Sequence, residues 1–299
     1  MQNQVDLKLL FIINPVSGGK EKHDWEAAIR NYFSNEPHRI EFYLLTGKDD
    51  RSSVRHYIQT VMPDRVIAVG GDGTVKMLAG MLKETNIPLG ILPAGSANGL
   101  ARELEIPLNA EDALDVVVNG ESRKMDVIKV NEEEICIHLA DIGLNAMLVK
   151  YFERSPKRGM WGYGKAILRV MWEKQKMRIS LEADDVKVQR KAYMVVLANA
   201  RKYGTGANIN PNGDVADGRF EVVVVRKLNL FEILKAIFTE KSFNPDKIEV
   251  FSTTSAELRV QRKAYFQVDG EYRGKTTSIK ARIMPGVLHM MLPLARNQQ

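Results

Sequence analysis

The chain has 299 residues, enough for about two domains at roughly 150 residues each, and its 44% hydrophobic and 27% charged residues are ordinary for a globular protein. A single cysteine excludes an intramolecular disulfide. With no conventional signal sequence and no apolar run near the ~20 residues of a spanning helix, this predicts a cytoplasmic protein that is not integral to the membrane. The formal net charge of +6 predicts an acidic partner, either nucleic acid or an anionic lipid surface.

Up to about residue 125, strand-like runs alternate with helix-like ones. This alternation predicts a mostly parallel sheet covered by helices on both faces, a doubly wound α/β domain over residues 1–125. The predicted strands are 7–14, 40–45, 66–69 and 87–92, and the predicted helices are 24–33, 51–61 and 75–83.

Three glycine-bearing turns, 14–20, 70–74 and 93–99, follow the carboxyl ends of predicted strands. Because ligands of open α/β sheets bind beyond those ends, the turns are predicted to converge in one crevice. Glycines let backbone N–H groups approach a phosphate chain closely. Asp72, in the second turn, would repel phosphates unless a divalent cation lay between them. The sequence therefore predicts a Mg-nucleotide site.

After about residue 125 the pattern changes to many short strands, often bounded by Asn, Asp, Gly or Pro. This density predicts an antiparallel β-sandwich over residues 126–285, with 286–299 returning to the first domain. The predicted strands are 126–130, 134–139, 178–183, 193–198, 219–225, 248–252, 257–260, 265–268 and 277–283, with helix-like insertions near 160–176 and 228–241.

With its three turns in order, the chain resembles the diacylglycerol kinase catalytic-domain superfamily of lipid kinases. The resemblance covers nearly the whole chain. It rests on Asn-Pro-Val-Ser-Gly at 14–18, Gly-Gly-Asp-Gly-Thr at 70–74, Pro-Ala-Gly-Ser-Ala-Asn-Gly at 93–99, a DG segment within 214–220 and Asp-Gly-Glu at 269–271. The second turn alone also occurs in NAD kinases and phosphofructokinases, whereas the ordered set is specific.

The resemblance implies a two-domain enzyme of the NAD kinase/diacylglycerol kinase-like fold that binds ATP and Mg²⁺ between its domains and a lipid in the sandwich. Such an enzyme would phosphorylate a hydroxyl of that lipid. The implied nucleotide contacts are Asn14, Pro15, Val16, Ser17, Gly18, Thr46, Gly71, Asp72, Gly73, Thr74 and Ser96.

Carboxylates carry the implied chemistry. Of Asp269 and Glu271, one takes the proton of the attacking hydroxyl; Asp269 is favoured and Glu271 stays open. Asp72 and Asp126 correspond to acids that hold a catalytic Mg²⁺ through water, although Asp126 is also readable as a turn residue. A second, structural metal site is implied at the side chain of Asp217, also readable as a turn residue, and at backbone oxygens of Asp214 and Arg219.

The third turn departs from the common bacterial pattern PxGTxND. It has Ser96 and Gly99 at the Thr and Asp positions, which is similar to sphingosine kinases and favours a sphingoid base or ceramide. However, residues 143–147, which align with the acid that meets the substrate ammonium, contain no acid, and Asp141 is off register. We therefore expect a neutral lipid such as diacylglycerol, with sphingoid bases, ceramide and phosphatidylglycerol as alternatives.

Residues 150–178 contain nine Lys or Arg against Glu153 and Glu173, with large apolar residues such as Trp161 and Trp172 interleaved. Such a segment predicts peripheral contact with an anionic bilayer; the alternative is a solvated helix packed on the sandwich. No nucleic-acid reading motif is recognisable. The oligomeric state stays open, a homodimer included. The rival functions are an NAD kinase and a catalytically silent sensor of nucleotide or lipid.

Overall fold

The structure, a computed structural model, describes residues 6–18, 25–153, 169–170, 172–173, 175–200, 213–227 and 245–294. Its Cα positions divide into two compact units. Unit 1 comprises Met1–Met125 and Gly286–Gln299, and unit 2 comprises Asp126–Pro285. In the part of the chain that is described, no helix is long and apolar enough to cross a membrane.

Unit 1 is built on a parallel sheet. Its own strands are Lys8–Ile13 (β1), Arg39–Leu44 (β2), Arg65–Gly70 (β3) and Leu89–Pro93 (β4). They lie in the order β4-β3-β1-β2, and every pair is parallel. The end of the last strand of the chain returns to this sheet, where Met290 pairs in parallel with Leu89.

Five described helices accompany this sheet: Trp25–Tyr32 (α1), Asp50–Val61 (α2), Asp72–Leu82 (α3), Gly99–Glu103 (α4) and Ala110–Asn119 (α5). The predicted alternation of strand and helix is confirmed. The sequence interpretation omitted α5, although Asn109 precedes it and accepts a hydrogen bond from the Asp112 N–H at 2.9 Å. That cap, followed by an apolar face that includes buried Leu114 and Val117, was the signal that could have found it.

Unit 2 consists mostly of antiparallel strands. They are Glu121–Val130 (β5), which begins in unit 1, Glu134–Cys136 (β6), Leu139–Gly143 (β7), Met177–Ala183 (β8), Val186–Ala192 (β9), Met194–Ala198 (β10), Phe220–Val225 (β11), Ile248–Thr253 (β12), Ser255–Val268 (β13) and Glu271–Leu292 (β14), which ends in unit 1. One described helix, Leu144–Glu153 (α6), follows β7.

Strand β13 connects the parts of unit 2. Its first half pairs with β8 and its second half with β7, and its register with β14 shifts between Arg259 and Ala264. Beyond it run β7, β10, β11 and β12 on one side, while β9 pairs with β8. A buried cluster that includes Leu181, Val222 and Phe266 fills the interior. A second buried cluster, which includes Val196 and Val223, packs the opposite faces of β10 and β11 against α6.

Several predicted elements of unit 2 are corrected. Residues 134–139 form two strands rather than one, and 257–260 and 265–268 belong to the single strand β13. The edge strand β9 and helix α6 were not predicted. Most of the helix-like insertion at 160–176 and all of that at 228–241 lie outside the described residues.

Candidate active site

The three glycine-bearing turns of unit 1 meet at backbone distance. A Cβ on Gly18, which has a φ of +82°, would lie 2.6 Å from the carbonyl oxygen of Ala94. A Cβ on Gly95 would lie 2.4 Å from the Cα of Gly71. Only glycine permits such approaches. The predicted convergence of the turns is confirmed.

Asp72 joins the second turn to the third. Helix α3 begins at this residue, three positions earlier than predicted, so Gly73 and Thr74 belong to its first turn. The two carboxylate oxygens accept hydrogen bonds from the backbone N–H groups of Gly99 and Leu100, each at 3.0 Å. These groups are donors at the start of α4, so Asp72 supplies the cap of that short helix.

Asn98 immediately precedes α4, but its side chain shapes the third turn instead of capping that helix. Its Oδ1 accepts from the Gly95 N–H at 2.9 Å and its Nδ2 donates to the Gly95 carbonyl at 2.8 Å. The residue is buried and has a φ of +50°, a conformation that asparagine tolerates better than most residues. Ser96, at the tip, is left exposed.

The first turn is tied to the second by Asn14. Its Nδ2 donates to Thr74 Oγ1 at 3.2 Å, and its Oδ1 accepts from the Val16 N–H at 3.1 Å. Thr46 lies after β2, where its N–H and hydroxyl both donate to Asp50. The backbone N–H of Thr46 contributes most to lowering the pKa of Asp50. Thr46 is thus bound to the start of α2 in this structure.

A cavity of about 710 Å³ opens beside the first and third turns, within the size range of small-molecule sites. Its lining includes predicted nucleotide contacts: Asn14, Pro15, Ser17 and Gly18. It also includes side chains that the sequence interpretation missed: Trp25, Leu44 and Leu108. Leu108 is 45% exposed, an unusual position for a large apolar side chain, and no sequence pattern marked it.

In unit 2, Asp269 occupies a left-handed turn with a φ of +50°. Its Oδ1 accepts from the backbone N–H groups of His138 (2.9 Å) and Leu139 (3.3 Å), and its Oδ2 from that of Ile137 (3.2 Å). These donors lie in the break between β6 and β7, which explains why 134–139 is not one strand. The neighbouring His138 ring is buried, and its Nε2 has no hydrogen-bond partner among the described residues.

Glu271, two residues on, contacts a different group. Its carboxylate pairs with Arg273, which also binds Glu134 at 2.7 Å. The guanidinium between two acids has its pKa raised, chiefly by the hydrogen bond to Glu134. The two predicted base candidates therefore differ in environment: Asp269 faces backbone donors and Glu271 faces a cation.

Asp126 is almost fully buried, and its Oδ2 accepts from the Gly218 N–H at 2.6 Å. The structure therefore joins it to the DG segment, where Asp214 and Asp217 each accept a backbone N–H two residues further on. The Arg219 side chain points to Ser252. Across the described residues, no three His, Cys, Asp or Glu side chains cluster as a metal site. Two metal sites were predicted, one with Asp72 and Asp126 through water and one with the Asp217 side chain and backbone oxygens of Asp214 and Arg219, and both stay predictions.

A buried polar network supports the turn that carries Asp269. Asp141 is fully buried and accepts from Asn145 Nδ2 at 2.6 Å, from the Ala146 N–H at 2.8 Å and from Gln267. The other end of the Gln267 amide accepts from the Gly270 N–H at 2.7 Å. Gln267 thus bridges the start of α6 to the turn at Asp269. No sequence pattern marked this bridge.

Two family matches cover nearly the whole chain. Residues 8–130 match the diacylglycerol kinase catalytic domain, and residues 139–292 match the YegS C-terminal NAD kinase beta sandwich-like domain. Together with the converging turns and the sandwich, these matches define a lipid kinase of two domains. The chain belongs to the diacylglycerol kinase-like family of lipid kinases, and the predicted family and fold class are confirmed.

Named relatives agree with this assignment. The chain is 25% identical over 300 residues to a diacylglycerol kinase of Bacillus subtilis, with 97% of each chain covered. It is 29% identical to a probable YegS-like lipid kinase of Chromohalobacter salexigens, covering 77% of this chain and 76% of the relative. A crystal structure of a putative diacylglycerol kinase from Bacillus anthracis shares the fold, with a TM-score of 0.79, 22% identity and coverage of 96% and 98%.

Proposed function

We propose that this lipid kinase transfers the γ-phosphoryl group of Mg-ATP to the hydroxyl of a neutral lipid, diacylglycerol first among the candidates. The observation that carries the proposal is the backbone contact of the three turns in unit 1, fastened by the carboxylate of Asp72. Turns in contact at glycine positions present main-chain N–H groups to a phosphate chain without side chains in the way.

The cavity beside these turns supports ATP as the phosphoryl donor. Its volume of about 710 Å³ suits a nucleotide, and it reaches from Ser17 and Gly18 to the apolar side chains of Trp25 and Leu108. In this proposal the turns hold the phosphates and the apolar side chains contact the base. Asn14 keeps the first turn in position through Thr74.

Two groups of acids would carry the chemistry. Asp72 and Asp126 would hold Mg²⁺ through water, and the cation would meet the charge of the transferred phosphoryl group. The donor set fits, because hard carboxylate oxygens and waters are what Mg²⁺ prefers. Asp269 or Glu271 would receive the proton of the lipid hydroxyl, since an alcohol is a poor nucleophile at neutral pH.

The buried network around Asp141 supports a neutral rather than a cationic lipid. Its carboxylate already accepts hydrogen bonds from Asn145, Ala146 and Gln267. A substrate ammonium would have to displace these contacts to obtain a counter-charge. The hydroxyl of diacylglycerol is uncharged and needs no counter-charge.

The test is transfer of labelled γ-phosphate from Mg-ATP to lipids in mixed micelles. The panel holds diacylglycerol, phosphatidylglycerol, undecaprenol, sphingosine and ceramide. We expect label on diacylglycerol. Label on another lipid would correct the substrate, and no transfer with ATP binding intact would refute the proposal.

Matched amide variants assign the base. Asp269→Asn and Glu271→Gln each remove one negative charge at nearly constant shape. Loss of a general base lowers the rate by about 10²–10⁴-fold, so the variant with that loss and unchanged ATP affinity identifies the proton acceptor. Equal, small losses in both would exclude either residue from that role.

A further inference from the structure

The exposed cations of unit 2 fall into two groups. Towards one end of the β8–β9 hairpin they have acidic partners; Lys187, for example, pairs with Glu182 at 3.1 Å. Towards the other end, Arg190 and Arg226 share the acid Glu249 and Lys275 lies over the Tyr265 ring, but six further exposed side chains there have no acidic partner among the described residues. This cationic cluster consists of Lys176, Arg178, Lys191, Lys227, Arg262 and Lys263.

Two adjoining depressions open among these residues, of about 460 and 690 Å³. Six Lys or Arg line the first and five line the second, and Lys176 and Arg178 are common to both. The described lining contains one acid, Glu173, whose carboxylate already accepts from Tyr151 Oη at 2.6 Å and Arg169 Nε at 2.9 Å. Of the lining cations, Arg190 and Arg226 are paired with Glu249, and the others concentrate positive charge in the depressions without an acidic partner among the described residues.

The register of the hairpin shows that this charge opposes stability. Arg178 lies directly opposite Lys191, and like charges at opposing positions destabilise a sheet. Four residues further along the same hairpin, the equivalent pair of Glu182 and Lys187 has opposite charges. Lysines on an exposed edge strand also discourage unwanted pairing, but that purpose does not require cations on β8 and β13. Binding of an external anion would explain why all six cations of the cluster are placed together.

An exposed indole precedes this cluster in the sequence. The side chain of Trp172 is 92% exposed, four residues before Lys176. Tryptophan is enriched at membrane interfaces, where its apolar ring and polar N–H each find a suitable environment. Basic side chains beside such an anchor are typical of surfaces that bind anionic lipid.

We propose that the cationic cluster and Trp172 dock unit 2 on an anionic phospholipid bilayer. The proposal rests on the proposed lipid substrate, which resides in a bilayer. It extends the contact predicted from residues 150–178 to strands β8, β9 and β13. Positive side chains near such a surface each strengthen binding by roughly fivefold, and salt weakens the attraction.

The experiment is sedimentation of the full chain, without nucleotide, with phosphatidylcholine vesicles that contain or lack phosphatidylserine. We expect binding only to the anionic vesicles, and less of it at high salt. Lys191→Glu should weaken that binding about tenfold or more and also raise the melting temperature, because the new carboxylate faces Arg178. Trp172→Ala should weaken binding without changing the net charge.

Lys187→Glu is the matched control, with the same substitution and charge change on the same strand. It should leave vesicle binding near that of the wild type. Equal weakening by both variants would show that net charge alone attracts the protein, and no weakening by either would assign the cations to edge protection. Tighter binding to a single-stranded oligonucleotide than to vesicles would also overturn the proposal.

Phosphorylation of short-chain diacylglycerol in neutral detergent micelles separates this proposal from the proposed function. We expect Lys191→Glu to retain that activity. If the wild type binds anionic vesicles but phosphorylates no lipid, the proposed function fails and docking stands. If it phosphorylates the lipid but binds no vesicles, docking fails alone.

Discussion

Replacing Gly95 by alanine tests whether contact between two turns builds the proposed nucleotide site. The new Cβ would lie 2.4 Å from the Cα of Gly71, whereas carbon atoms pack best at about 3.5–4.0 Å. The second and third turns must therefore separate by roughly 1 Å. Overpacking of this kind costs about 1–3 kcal/mol of stability. It would also move backbone N–H groups out of reach of phosphate oxygens.

Loss of one hydrogen bond to a charged group costs about 1.5–3 kcal/mol, which corresponds to roughly 10–100-fold in affinity. We therefore expect Gly95→Ala to weaken ATP binding by that factor, measured by titration calorimetry. Gly71→Ala probes the same contact from the other side, where the Cβ would lie at 3.2 Å and the neighbour need yield only slightly. Its effect should be smaller.

Gly274→Ala, in β14, serves as a control because no atom lies within 4 Å of its Cβ position. Its φ of +92° means that it loses stability through backbone strain, with ATP affinity unchanged. Wild-type ATP binding by Gly95→Ala, or a larger loss in Gly71→Ala than in Gly95→Ala, would refute the reasoning.

Three further substitutions test the fold. Asn109→Ala removes the cap of α5 and should lower the free energy of unfolding by about 1 kcal/mol in urea titrations, with Asn109→Ser restoring it. Leu181→Ala empties a fully buried position and should cost about 2–5 kcal/mol in the same assay; a cost near zero would contradict the assigned core. Burial opposes ionisation of Asp184, but hydrogen bonds from residues 253–255 outweigh it and lower its pKa from 3.8 to about 2. Because the folded-state pKa is depressed, this stabilisation is present above about pH 4 and lost as pH falls towards 2, so the melting temperatures of wild type and Asp184→Asn should converge over that range. If the difference between the two melting temperatures stayed constant with pH, ionised Asp184 would not be the cause of the stabilisation.

The α/β unit was largely predictable because three of its four own strands are buried on both faces, whereas β2 is partly exposed. Strands β1, β3 and β4 appear in the sequence as continuous apolar runs between helical segments. The start of α3 was placed too late, since Gly73 is a poor helix former and suggested a turn. At a helix N-terminus, however, the contacts of the turn override that preference.

The sandwich was predictable in class but less so in detail. Edge strand β9 was not predicted because only part of one face is buried and its exposed positions include two lysines and a glutamine. The division of 134–139 depends on Asp269, which is about 130 residues away in sequence. The role of Gln267 likewise depends on a cross-strand neighbour, Asp141. Single-sequence patterns contain no information on such distant pairs.

The bond between Asp72 and the third turn has a consequence for how this enzyme can evolve. Asp72 contacts the turn only through the main-chain N–H groups of Gly99 and Leu100, which every residue except proline supplies. The exposed side chain of Ser96, at the tip, can therefore be exchanged without breaking these two bonds, whereas Gly95 and Asn98 maintain the shape of the turn. Substitutions at the tip can then accumulate in evolution while the link from Asp72 to the main chain is kept.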